Sequence, residues 1–161
     1  MPIVASDIQF KTSAASGLGG AITGTDVSSA LHGLFDVVSG AEALAGDAEY
    51  RCVYVKNSHA TLTLYNATVF ISSNTPSGDT TVDIGVGTSA VGGTEQTIAN
   101  ENTAPAGVSF SNPSDYVGGI LLGDLPAGQH RAVWIRRTVS AGASAYSGDG
   151  MTLAVQGDTA A

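Results

Sequence analysis

Residues 49–57 read EYRCVYVKN, and residues 129–139 read QHRAVWIRRTV. Both runs are rich in aromatic and β-branched side chains, which suit a pleated, packed surface. The chain between them continues in the same style. Asn57-Ser58-His59 turns, Leu62 and Leu64 alternate with threonines, and residues 68–73 (TVFISS) form the next strand. Residues 74–79 (NTPSGD) carry a strong turn signal, and residues 80–86 place Val82, Ile84 and Val86 on one face. Weaker strands are expected at 94–99, 108–111 and 119–122. Pro126-Ala127-Gly128 turns into the second quoted run, and Met151, Leu153 and Val155 alternate near the end. Short strands with turn signals at this spacing predict an antiparallel β-sandwich or barrel of about eight strands. Its expected core holds Val53, Val55, Leu62, Leu64, Val69, Ile71, Val82, Ile84, Trp134, Leu153 and Val155. Regular strand–helix alternation, the mark of a parallel α/β sheet, is missing.

Residues 1–48 differ from the rest, and 49–161 are expected to form the sandwich. Residues 8–11 suit a short first strand. Residues 12–25 are low in complexity, with Gly17, Gly19, Gly20 and Gly24, and read as a mobile loop or arm. Val27, Leu31, Leu34, Phe35 and Val38 have helical spacing. Ser39 and Glu42 have capping-box spacing, with Gly46 placed to close a second short helix. Residues 1–25 offer little apolar area to offset the cost of ordering backbone, about 1–2 kcal/mol per residue. Yet Ile3, Val4, Ile8, Phe10 and Ile22 are more apolar than a linker needs. Two outcomes stand open. The arm orders only in an assembly, pairing with a neighbour's sheet edge, or residues 8–11 pair within their own sandwich.

Charged residues make up 12% of the chain, against about 25% in an ordinary domain. Small and hydroxylated side chains replace them, and such a surface loses little side-chain entropy when buried against a partner. The formal net charge of −8 argues against a nucleic-acid partner, whose phosphates would repel it. The N-terminal residues show no basic-then-apolar signal pattern, and no apolar run approaches the roughly 20 residues of a membrane span. The expectation is a protein made in the cytoplasm of the producing cell, with no membrane partner. The lone Cys52 permits no intrachain disulfide.

Two segments resemble Ig-like sandwich modules: AGDAEYRCVYVKNSHATLTLYNATVFI at 45–71, and LGDLPAGQHRAVWIRRTV at 122–139. The chain also resembles virion structural proteins of tailed bacteriophages, through EYRCVYVKN, ISSNTPSGDTTVDIG, TEQTIANENTAPAGVSF and AVWIRRTVSAGASAY. The resemblance implies an all-β, antiparallel sandwich of Ig-like or jelly-roll-like type with a partly irregular N-terminal segment. It also implies a capsid decoration (cement) protein at the virion surface. Its partners would be the major capsid protein and copies of itself. A tail-associated carbohydrate- or receptor-binding module is the alternative, for which Tyr50, Tyr54, Tyr65, Tyr116 and Tyr146 are available.

No motif argues for catalysis. Gly85-Val86-Gly87-Thr88-Ser89-Ala90 matches G-x-G-x-x-A, but no amphipathic helix follows to face a pyrophosphate. A glycine-rich loop between strands is expected there. His32, His59 and His130 lack metal-ligand spacing, and His59 and His130 are expected to face solvent. Cys52 is expected to be a buried, inert thiol. Asp79, Asp83, Asp115, Asp124, Asp149 and Asp158 lie in or near predicted turns, where Asp serves backbone hydrogen bonds. No catalytic residue, cofactor or metal is therefore expected. Arg131, Arg136 and Arg137 fall in one strand, with Arg131 and Arg137 on the face of Val133 and Ile135 and Arg136 on that of Trp134. Two readings remain: strand charges that keep an edge soluble, or an anchor patch for an acidic partner surface. Ile3, Val4, Ile8, Phe10, Arg131, Arg136 and Arg137 are the interface candidates.

Overall fold

In the computed structural model, which describes residues 2–159, all three sheets are antiparallel. Met1 and Ala160–Ala161, the outermost residues of the two expected segments, lie outside the described residues. The strands are β1 (Ile8–Ser13), β2 (Gly19–Gly20), β3 (Ile22–Asp26), β4 (Asp47–Asn57), β5 (Leu64–Ser73), β6 (Thr80–Val86), β7 (Glu95–Thr97), β8 (Ile120–Leu125), β9 (His130–Val139) and β10 (Thr152–Thr159). A short helix, α1 (Gly40–Ala45), precedes β4. The main sheet runs β3-β1-β4-β9-β6, a smaller one runs β10-β5-β8, and β2 pairs with β7. The fold is all-β and sandwich-like, as the alternation predicts.

The two quoted runs pair with each other. The β4–β9 ladder extends without a slip from Asp47↔Val139 to Lys56↔His130. Val53, Val55, Val133 and Ile135 project from it into the space between the main and the smaller sheet. There they join Leu64, Ala67, Val69, Ile71, Val82, Ile84, Leu122 and Leu125. The opposite face is also apolar. Tyr50, Cys52, Tyr54, Ala132 and Trp134 form a second core with Ile98, flanked by Leu18, Ile22, Val108 and Phe110. This is why residues 49–55 are buried without a break. Trp134 belongs to this outer core rather than to the sandwich interior. Leu62 is half-buried in the 58–63 loop, while Leu153 and Val155 pack on the inner core from the edge strand β10.

The N-terminal segment is built into the fold, which corrects the expectation of a mobile arm. β1 lies between β3 and β4, with Phe10 opposite Val55 and Thr12 opposite Val53. Ile3, Ile8 and Phe10 pack on the inner core, and Leu18 and Ile22 on the outer. Glycine content alone hid this, because the apolar area that offsets the ordering cost comes from β4, not from within the segment. Strands from both sides of residue 48, β1 and β3 before it and β9 and β6 after it, share the main sheet with β4. The helix expected over 26–38 is absent. Left-handed His32 (φ 58°) and the turn closed by Gly33 N–H on Ala30 O interrupt it. Val27, Leu34 and Phe35 nonetheless reach the inner core from an irregular segment. The second short helix forms as predicted. Ser39 Oγ accepts from Glu42 N, Glu42 Oε2 accepts from Ser39 N, and Gly46 ends it. Residues 108–111 make a single bridge, Ser111 to Ile84, instead of a strand.

Asn57, fully buried at the end of β4, ties the two sheets together. Its Nδ2 donates to Leu62 O and Leu125 O, both at 2.8 Å, and its Oδ1 accepts from His59 N. Asn57→Ala leaves two carbonyls without donors, and should cost about 3 kcal/mol in chemical denaturation. Deleting residues 1–25 strips one edge of β4 and uncovers the outer core. The truncated chain should lose its cooperative thermal transition, or melt more than about 10 °C lower.

Candidate functional site

β4 and β9 carry their charges where the smaller sheet no longer covers them. Glu49 and Arg51 continue the inward face of Val53 and Val55, and Glu49 stands opposite Arg137 on β9. Arg137 Nε donates to Glu49 Oε2 at 2.6 Å, and its Nη1 donates to Asp36 O. Arg51 pairs with Glu101. Phe35 lies between the two guanidinium groups, with Arg137 Cζ 4.8 Å and Arg51 Cζ 5.5 Å from its ring centroid. Such stacking allows a planar guanidinium to sit on an apolar surface. Glu49 is 2% exposed. Burial pushes its carboxyl above the ordinary value, and Arg137 opposes this without reversing it.

The cluster also closes a strand edge. β1 leaves β4 after Thr12↔Val53, so the first residues of β4 have no strand on that side. Side chains and loop backbone replace it. Tyr50 N donates to Glu101 O, Ser13 Oγ to Cys52 O, Arg51 Nη1 to Tyr50 O and Asn102 Nδ2 to Ala48 O. An edge filled in this way is no template for another strand. Two small hollows of about 240 and 340 Å³ flank it and share Ser16. Ala15 and Ser16 there hold left-handed backbone (φ 52° and 57°).

The three arginines of β9, read either as edge charges or as an anchor patch, stand apart on a strand between β4 and β6. Arg131 and Arg137 share a face, but six residues of strand, about 20 Å, separate them. Arg131 donates to Gly87 O. Arg136 lies on the opposite face, as alternation requires. It holds Asp83 through Nε and Nη2 and stacks over Phe110 at 5.1 Å. Among the described residues, Lys11, Arg51, Arg136 and Arg137, four of the six Lys and Arg, are in internal ion pairs. Of the other candidates, Ile3, Ile8 and Phe10 are half-buried against the core, and Val4 is 52% exposed.

The turn aspartates fasten loops. Asp79, Asp115, Asp124 and Asp149 accept from the N–H groups of Ser144, Gly118, Asn66 and Ser77. Asp158 takes the Asn66 amide. His59 and His130 are half-buried rather than solvent-facing. His59 Nδ1 accepts from Thr61 N and Leu62 N, and the His130 ring stands edge-on to Tyr54. Burial holds the Cys52 thiol up at about 12, which leaves it unreactive.

The G-x-G-x-x-A loop is explained by packing. A Cβ on Gly85 would stand 2.5 Å from Ser109 O, and one on Gly87 2.3 Å from Glu95 Oε2. The Glu95 carboxylate takes Ser89 N–H (2.9 Å) and the Thr88 hydroxyl (3.0 Å), where a phosphate would need donors. Glu95 N–H donates to Tyr54 Oη, whose hydroxyl reaches Gly20 O. Glu95 thus ties β7 to the loop after β6 through its carboxylate and to Tyr54 of the main sheet through its backbone N–H. Sequence inspection missed Glu95, because nothing local distinguishes it from a surface glutamate. The same is true of Glu49.

No family model, curated protein or solved structure matches this chain.

Burial alone would raise the Glu95 carboxyl, but the hydrogen bonds from Ser89 and Thr88 outweigh it and hold the group at about 2, against an ordinary 4.5. A carboxyl depressed in the folded state adds stability above its unfolded value, and the gain is lost as pH falls toward the folded value. Stability should therefore drop between about pH 4.5 and 2, by up to about 3 kcal/mol. In Glu95→Gln, urea denaturation at a series of pH values should show that acid limb flattened.

Proposed function

We propose that this chain is a non-catalytic structural protein of a tailed-bacteriophage virion. It binds the outside of the capsid and strengthens contacts between capsid subunits. The observation that carries this reading is an apolar outer face on the smaller sheet. Tyr65 and Leu121, 42% and 59% exposed, point away from the core, with half-buried Phe70 on the same face. Val117, 94% exposed, stands in the turn before β8. The main sheet, by contrast, is covered on both faces. Four cations are held in internal pairs, which favours docking through apolar and hydroxyl-rich surface over charge. Threonines, serines and alanines around the face lose little entropy on burial. The segments that resemble phage virion proteins point the same way.

The mechanism is passive. A protein that binds only the assembled shell stabilises it by mass action, and each copy adds buried area to a contact that internal pressure tends to open. The tail-associated glycan- or receptor-binding alternative draws on exposed Tyr65 and Tyr146, since exposed aromatics suit a sugar platform.

Immunogold labelling of intact particles and cosedimentation with empty capsids test the reading. Label over the head and saturable cosedimentation are expected. Label confined to the tail, with a positive glycan array, would favour the alternative. Leu121→Asp should leave the melting temperature of the free chain within about 2 °C of the parent, because surface changes alter stability little. The same substitution should weaken capsid binding at least tenfold, read from the cosedimentation isotherm.

A further inference from the structure

We propose that the open edge of β10 pairs with β10 of a second copy of this chain, antiparallel about a twofold axis, so that the smaller sheets of two copies join into one. Among the described residues, β10 makes hydrogen bonds only with β5: the ladder itself, Ser72 Oγ to Thr152 O, and Asn66 Nδ2 to Asp158 Oδ2. None of its eight residues is buried, although Val69 and Ile71 beside them on β5 are 0% and 2% exposed. The outer row of N–H and C=O groups on such a strand is a template for another strand.

The other edges carry features that oppose such pairing. Ser111 closes on β6 through both of its hydrogen bonds with Ile84, at 2.7 and 3.0 Å. Side chains and loop backbone fill the edge of the first residues of β4. β8 is broken at left-handed Gly123 (φ 92°), and β3 ends on the charged Asp26. From Thr152 to Gln156, β10 has no charge, proline or glycine, and its ladder with β5 runs without a slip from Leu153 to Gln156.

Two properties select a second copy as the occupant. With the axis at Ala154, Leu153 of each chain stands opposite Val155 of the other. Both side chains are half-buried at the margin of the inner core, and the pairing covers them and makes the two inner cores continuous. Each copy also brings the same uncharged run, so no like charges meet in the five-residue ladder, and Asp158 lies beyond it. A twofold pair uses both open edges at once and closes there. Magnitudes make the contact weak. Five residues of strand span about 17 Å, which belongs with small, transient contacts below about 1,200 Å². Both chains carry a net charge of −8, so they repel at long range, and salt strengthens the pair by screening. The pair does not rest on the capsid reading, which can fail while the free chain still dimerises.

Sedimentation velocity of the full chain tests this. Between about 10 µM and about 1 mM, the weight-average mass should climb toward twice that of the monomer, and more steeply at about 0.5 M than at about 0.05 M sodium chloride. Thr152→Lys with Gln156→Lys sets like charges opposite each other twice across the axis, while it lowers the net negative charge of each chain. Both positions are exposed, so the fold is kept. Its dimerisation should be at least tenfold weaker. Thr152→Lys with Gln156→Glu keeps the parent's net charge and sets opposite charges across the axis, and it should dimerise at least as well as the parent. Backbone amide resonances that shift with concentration should map to residues 152–156 and to β5, which decides the matter if a variant fails to fold. A parent chain that stays monomeric to about 1 mM at both salt concentrations would overturn the proposal. So would concentration-dependent shifts centred on another surface, or a folded Thr152→Lys, Gln156→Lys variant that dimerises as the parent does.

Discussion

The β4–β9 ladder is the constraint from which the rest of the molecule follows. Ten residues pair in unbroken register, and both faces of the pair are apolar over most of their length. Burying both faces demands two covers. The smaller sheet supplies one and contributes Leu64, Val69, Ile71 and Leu122. The other is assembled from short pieces: the β2–β7 pair, Ile98 and the 108–110 segment. These pieces have little regular structure of their own. Single polar groups therefore pin them, Glu95 and Tyr54 above all.

The same ladder sets the electrostatics. Strand alternation carries Glu49, Arg51 and Arg137 inward, onto the face that Val53 and Ile135 occupy further along. Charges placed there must be met internally, because leaving one buried and unpaired is strongly destabilising. Phe35, Asp36 and Glu101 meet them. A chain with so few charged residues thus spends most of its cations inside itself, and its surface is left acidic and smooth. Within this arrangement Glu49 Oε1 and Arg137 Nη2 are buried without a hydrogen-bond partner among the described residues.

The apolar outer face of the smaller sheet has no such cover. Tyr65 and Leu121 stand 42% and 59% exposed on it, so no further layer of the described residues covers them. Under the proposed function an assembly partner supplies the layer, with the hydrophobic effect as the driving term and small side chains keeping the entropic cost low.

Local pattern was enough to find most strands. The alternation of Val82, Ile84 and Val86, the bulk of EYRCVYVKN and QHRAVWIRRTV, and the turn residues between them report directly on pleat and burial. The capping box at Ser39 and Glu42 was equally legible, because its hydrogen bonds are local. Three features were decided only by tertiary structure. Residues 12–25 look like a linker, yet β3 and β2 form there because β1 and β7 offer them edges. Residues 26–38 have helical spacing, yet Val27, Leu34 and Phe35 reach the core from a path broken at His32 while Leu31 stays exposed. The roles of Glu49, Glu95 and the three arginines depend on partners as distant in sequence as residue 137 is from residue 49. Periodicity records which side of an element is buried. It carries no information about which distant group will stand opposite, and that pairing determines whether a charge anchors the fold or remains free for a partner.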